Sequence, residues 1–138
     1  MSLVARVNAT NKTMAKYKGR AFDWQDKATC LHLARTQLRN MGHKPPTIPP
    51  FTSAVGAKRA MKAKGYETLA DIFDSLGLVR IAPAAMLVGD LAMLPGEDGF
   101  DAIVISAGGK LLGWHGADLS CPTSIGEAVA HVTVAWRL

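Results

Sequence analysis

Helix signals and strand signals occupy different halves of this 138-residue chain, and that segregation limits the folds open to it. Asn8 or Thr10 is placed to cap a first helix reaching about Tyr17, with Gly19 ending it. Thr29 is the expected N-cap of a second helix, in which Cys30, Leu33, Ala34, Leu38 and Met41 recur at helical spacing. Gly42 stops that helix. Pro45-Pro46 and Pro49-Pro50 then enforce an extended crossing. Ser53 caps a third helix with Val55, Ala57, Ala60 and Met61 inward and Gly65 at its end. Thr68 caps a fourth with Leu69, Ile72, Phe73 and Leu76 inward and Gly77 after it.

Beyond Gly77 the pattern changes. Leu87 to Leu94 reads as a strand, followed by a turn over Pro95-Gly96-Glu97-Asp98-Gly99. Phe100 to Ser106 is the next strand. Gly108-Gly109 forms a tight hairpin turn into Lys110 to His115. A last strand is expected from about Val129 to Trp136. The expectation is one α+β domain over residues 1–138, with N-terminal helices packed on a C-terminal antiparallel sheet. Hydrophobic residues at 49% and charged residues at 20% suit a globular core.

No apolar run approaches the ~20 residues of a bilayer span, and Met1-Ser-Leu-Val-Ala-Arg6 has no secretory apolar core. The two cysteines, Cys30 and Cys121, are too few for a disulfide framework and too sparse for a zinc site. Cys121, before Pro122, reads as a loop thiol. The formal net charge is +5, and Lys58, Arg59, Lys62 and Lys64 share one short helical stretch. That stretch is a solvated face or a contact to an acidic protein. A nucleic-acid groove is the weaker reading, because no stacking aromatics interleave with the lysines.

Cys30 carries the chemical interest. A thiol in the first turn of a helix feels a dipole that favours the thiolate, and the thiolate is the nucleophile. Cysteine is also a common small core residue, so the position serves packing equally well. A nucleophilic cysteine needs a histidine within reach, held by a third polar group. His32 is two residues away on the same helix and faces elsewhere. His43 suits the helix end, and His131 starts the last strand. His115 closes a strand and is placed to face the helix of Cys30. Trp24, Trp114 and Trp136 read as core or interface anchors. Glu97, Asp98 and Asp101 lack the alternating oxygens of a calcium loop, and no helix follows Gly108-Gly109 to cradle phosphate. No cofactor or metal is expected.

Several segments together carry a resemblance. They are Phe22-Asp-Trp24, Cys30-Leu-His-Leu-Ala-Arg35, Met41-Gly-His-Lys-Pro45, Ser53-Ala-Val-Gly-Ala-Lys-Arg-Ala60, Ile81-Ala-Pro-Ala-Ala85, Gly89-Asp-Leu91, Gly113-Trp-His115 and Ala135-Trp-Arg137. With them the chain resembles a small family of proteins encoded in the tail gene clusters of phages and prophages of alphaproteobacteria. That family in turn is similar to the NlpC-type papain-like cell-wall peptidases. The resemblance implies a papain-like fold with Cys30 at the nucleophile position. The strand that in the peptidases opens with the catalytic histidine opens here with Asp101, in Asp101-Ala-Ile-Val-Ile105. His115 stands near the position of the third polar residue on the next strand. An aspartate of ordinary pKa, ~4, is a poor base for a thiol near ~8.5, and its charge disfavours a thiolate beside it.

The resemblance therefore implies a structural component of a bacteriophage tail tip, or of a phage-like particle, built on a degenerate and inactive peptidase fold. It would be made in the host bacterial cytoplasm and reside in the virion, among other tail-tip or hub proteins, with peptidoglycan as a further contact. Two alternatives stand beside it. One is an active cysteine hydrolase of peptidoglycan stems during cell-wall penetration, with Cys30 attacking and His115 as base. The other is a tail assembly factor.

Overall fold

The computed structural model describes residues 1–96, 101–115, 118–125 and 130–138, and their side chains except at 115, 118–121, 123 and 125. Four helices come first: α1 (Leu3–Tyr17), α2 (Cys30–Asn40), α3 (Ala54–Ala63) and α4 (Leu69–Ser75). Six strands follow, β1 (Arg80–Ile81), β2 (Leu91–Leu94), β3 (Ala102–Ser106), β4 (Leu111–His115), β5 (Asp118–Ile125) and β6 (Val134–Trp136), with a 3₁₀ turn at Pro83–Ala85. The strands form one sheet in the order β1-β6-β2-β3-β4-β5, each neighbour antiparallel. The α+β architecture is the one that the segregated signals predict.

Local chemistry explains the helix starts. Thr29, Ser53 and Thr68 each accept a backbone N–H of the first turn, from His32, Gly56 and Asp71. Asp71 returns the bond to Thr68 and completes a capping box. The first helix departs from expectation. It begins at Leu3, capped by Ser2, whose Oγ accepts from Ala5 N at 3.1 Å. Thr10 does not cap: it is buried, and its hydroxyl donates back to the Arg6 carbonyl at 2.9 Å. Val55 also differs, standing 61% exposed rather than inward.

α2 is the central element. Cys30, Leu31, Leu33, Ala34 and Leu38 are all buried between α1 and the sheet. Each fully buried leucine there contributes about 1.5–3 kcal/mol. The strands alternate with period two. Leu91, Met93, Ile103 and Ile105 face the helices, whereas Ala92, Leu94, Val104 and Ala135 form a smaller cluster on the other face.

Four strand expectations need correction. β2 begins at Leu91, because Leu87–Asp90 makes a turn with Gly89 at φ +96°. A Cβ at Gly89 would lie 3.0–3.2 Å from Met41 and Thr10, so close approach and backbone angle both demand glycine. β5 occupies 118–125, so Cys121 lies in a strand rather than a loop. Pro122 hides that strand from pattern reading, and the sheet edge is where proline is tolerated. β6 begins at Val134, leaving His131 before the strand and exposed. β3 begins at Ala102, one residue beyond Asp101. The Gly108-Gly109 hairpin forms as expected, with Ala107 N donating to Lys110 O at 2.8 Å. Most of the expected turn at 95–99 lies outside the described residues.

A buried carboxylate ties the ends of the chain to the sheet. Asp90 is fully buried and pairs with Arg6 of α1 and Arg137 after β6. It also accepts from the backbone N–H of Leu87 at 2.8 Å and of Leu138 at 2.9 Å. Beside it Gln37 of α2 donates to the Gly89 carbonyl and to Thr10, both at 3.1 Å, and accepts from Thr13 at 2.6 Å. Asp90→Asn strips the charge from this set and leaves Arg6 buried without its anion. Urea unfolding is expected to show a loss of about 3–5 kcal/mol.

Candidate functional site

The structure brings Cys30 and Asp101 together. Thr29 caps α2, so Cys30 is its first helical residue, and it is only 5% exposed. Its Sγ donates to the backbone carbonyl of Asp101 at 3.9 Å. Only a protonated thiol makes that bond. Burial pushes the thiol pKa up, and the charge of Asp101 adds to the rise. The backbone N–H groups of Ile103, Leu31 and Cys30 act the other way, as donors that a thiolate would accept. Burial is the larger effect, so the resting species is the neutral thiol.

Asp101 is half-buried, and its Oδ1 accepts from Gly96 N at 3.3 Å. It lies at the edge of a cleft of about 360 Å³ between α3 and α4, lined also by Val55, Lys58, Arg59, Lys62 and Glu67. Lys58, Arg59 and Lys62 of α3 therefore share this cleft with the carboxylates of Glu67 and Asp101.

The histidines divide. His115 ends β4, opposite Asp118 of β5, and its side chain lies outside the described residues, as do Glu97 and Asp98. His43 closes α2 through its backbone, donating to Leu38 O at 2.8 Å. His32 turns away from Cys30, as its spacing predicts. Its Nδ1 lies 2.8 Å from Thr29 Oγ1, and its ring stacks on Phe51 at 5.0 Å.

His32 opens onto a second cleft, of about 540 Å³, that sequence reading missed. An aromatic chain builds its surroundings. Trp114 meets Tyr17 and Phe22 edge-on, Phe22 meets Trp24, and Trp24 meets Phe51, with centroids 5.4–6.0 Å apart. This chain fastens the 20–29 loop and the proline strap around the start of α2. Trp114 and Trp136 are the expected core anchors, at 2% and 0% exposure. The one sequence signal for the second cleft is the like-charged pair Arg35 and Arg39, one helical turn apart on α2.

A protein-family comparison matches residues 4–138 to a domain of unknown function, DUF6950, and the chain belongs to that family. No curated protein and no solved structure matches. Among the described residues, no helix is long and apolar enough to cross a membrane.

The histidine provides a pH test. Burial lowers the His32 pKa to about 4, helped by Arg35, Lys27, Lys16 and Arg20 around it, while Asp26 lines the same cleft. An unfolded chain protonates His32 near ~6.5, above the folded value. The unfolded state therefore holds the extra proton between these limits, and stability falls as pH drops through that window. Thermal melts from pH 7 to pH 4 should show this fall. His32→Gln should flatten it.

Proposed function

We propose that this DUF6950 domain is a structural component of the tail tip of a bacteriophage or phage-like particle, built on a papain-like, NlpC-type fold that has lost its peptidase chemistry. The observation that carries this reading is the Cys30 environment. A nucleophile position is kept at the start of a helix, but its thiol is buried and bonded as a donor to Asp101. The carboxylate in the place of a histidine raises the thiol pKa instead of accepting its proton. Such a copy is retained for its surfaces, in contact with other tail-tip or hub proteins and with the cell wall that the particle must pass. Its location is then the virion, after synthesis in the host cytoplasm.

One observation favours a hydrolase as the second reading. Three backbone N–H groups, from Cys30, Leu31 and Ile103, reach toward the sulfur as donors to a thiolate. A histidine base, His115, would have to complete that site. An active enzyme would release stem-peptide fragments from peptidoglycan and lose that activity in Cys30→Ala. The inactive reading expects no release from either protein.

Thiol alkylation separates the readings directly. Iodoacetamide should modify Cys30 slowly at pH 7, with the rate rising only well above the ordinary thiol pKa of ~8.5. Asp101→Asn removes the adjacent charge and should accelerate the reaction several-fold at fixed pH. Rapid modification of the unaltered protein at neutral pH would overturn the inactive reading. Mass spectrometry of purified particles tests the location. The chain should be present in low copy. Its absence from mature particles would favour an assembly factor and sink the structural reading.

A further inference from the structure

The cleft beside His32 gathers cations from three parts of the chain. Lys16 comes from the end of α1, Arg20 and Lys27 from the loop that follows, and Arg35 and Arg39 from one face of α2. The single carboxylate among its described lining residues, Asp26, is paired with Arg20 at 3.1 Å. Folding thus assembles like charges around one concave volume. Arg35 and Arg39, at i and i+4, repel each other at a cost of a few tenths of a kcal/mol in an isolated helix. Ile48, Pro49, Pro50 and Phe51 form an apolar wall on one side of the cleft.

Two further details shape this cleft. Lys27 has φ +55°, a left-handed conformation that glycine or asparagine adopts more easily. The turn from Asp23 to Ala28 is closed by reciprocal backbone bonds of 2.9 and 3.0 Å, so the strained residue is firmly held. His32 lines the cleft with its ring held by Thr29, Nδ1 lying 2.8 Å from Oγ1, and by the face of Phe51.

We propose that this cleft binds a small, multiply charged phosphoryl ligand, of the pyrophosphate or phosphate-ester class, through Lys16, Arg20, Lys27, Arg35 and Arg39. Its volume suits a small molecule. Five cations around one space match a group that concentrates two or more negative charges on clustered oxygens. The guanidinium forks of Arg39 and of Arg35, which also donates from Nη1 to the Pro46 carbonyl, suit phosphate geometry. The assignment is independent of the chemistry of Cys30.

The test is calorimetric titration of the full chain with inorganic pyrophosphate, with inorganic phosphate and citrate at matched ionic strength as comparators. Pyrophosphate should bind one-to-one, more weakly as salt rises, and at least about tenfold more tightly than citrate. Lys16→Gln and Lys27→Asn should each weaken binding by about tenfold. Lys27→Asn should do so without lowering the melting temperature, because asparagine accepts the left-handed turn. Lys110→Gln, at the distant hairpin, should bind like the unaltered protein. Pyrophosphate should also raise the His32 midpoint from about 4 toward its ordinary value, read from ring NMR shifts. Absence of pyrophosphate binding, or unchanged affinity in the Lys16→Gln/Lys27→Asn double variant, would overturn the site. Citrate binding as tight as pyrophosphate would overturn the phosphoryl class.

Discussion

The fold turns on one carboxylate without access to water. Asp90 stands where the Leu87–Asp90 turn enters β2, and it gathers the first helix, the end of the chain and its own turn. A charge in that position is tolerable only when each lone pair has a donor, and two guanidinium groups and two backbone N–H groups supply them. Gly89 permits the arrangement, since any side chain there would strike Met41 and Thr10. The gap between α1, α2 and β2 is thus set by a polar seam of Asp90, Gln37, Thr10 and Thr13, while apolar packing fills the rest.

Desolvation acts in opposite directions on the two titratable groups near the start of α2. It raises the thiol of Cys30 and lowers the imidazole of His32, so both are neutral at pH 7. One points inward to the sheet and the other outward to a cationic cleft. The two are only two residues apart yet chemically separate, and a cysteine–histidine couple between them does not form. The helix start thus divides a buried thiol from a basin of positive charge.

Much of the helical half was legible, because its information is local. Thr29, Ser53 and Thr68 sit at their helix starts with glycines or prolines after the ends, and the inward spacing from Cys30 to Met41 holds throughout. Ser2 escaped notice because later polar residues offered rival caps. The sheet was less legible. β5 carries a proline, β1 is two residues long, and Leu87–Asp90 has the composition of a strand although Gly89 bends it. The contact of the Cys30 sulfur with the Asp101 carbonyl comes from the packing of α2 on β3, which no local pattern encodes. The basic cleft was not legible either, since its cations are spread from 16 to 39 and converge only when α1, the loop and α2 pack together.

The proline in β5 has a consequence for association. The sheet ends on one side in β5 with Pro122, which offers no N–H, and on the other in a pair of residues, Arg80 and Ile81. β1 is too short to template another chain, and in β5, eight residues long, Pro122 interrupts the run of N–H donors. Lateral pairing through shared hydrogen-bond ladders is weakened at both borders. A chain adding to the β5 border would meet a missing donor at Pro122, so contour and charge count for more there than a shared ladder does.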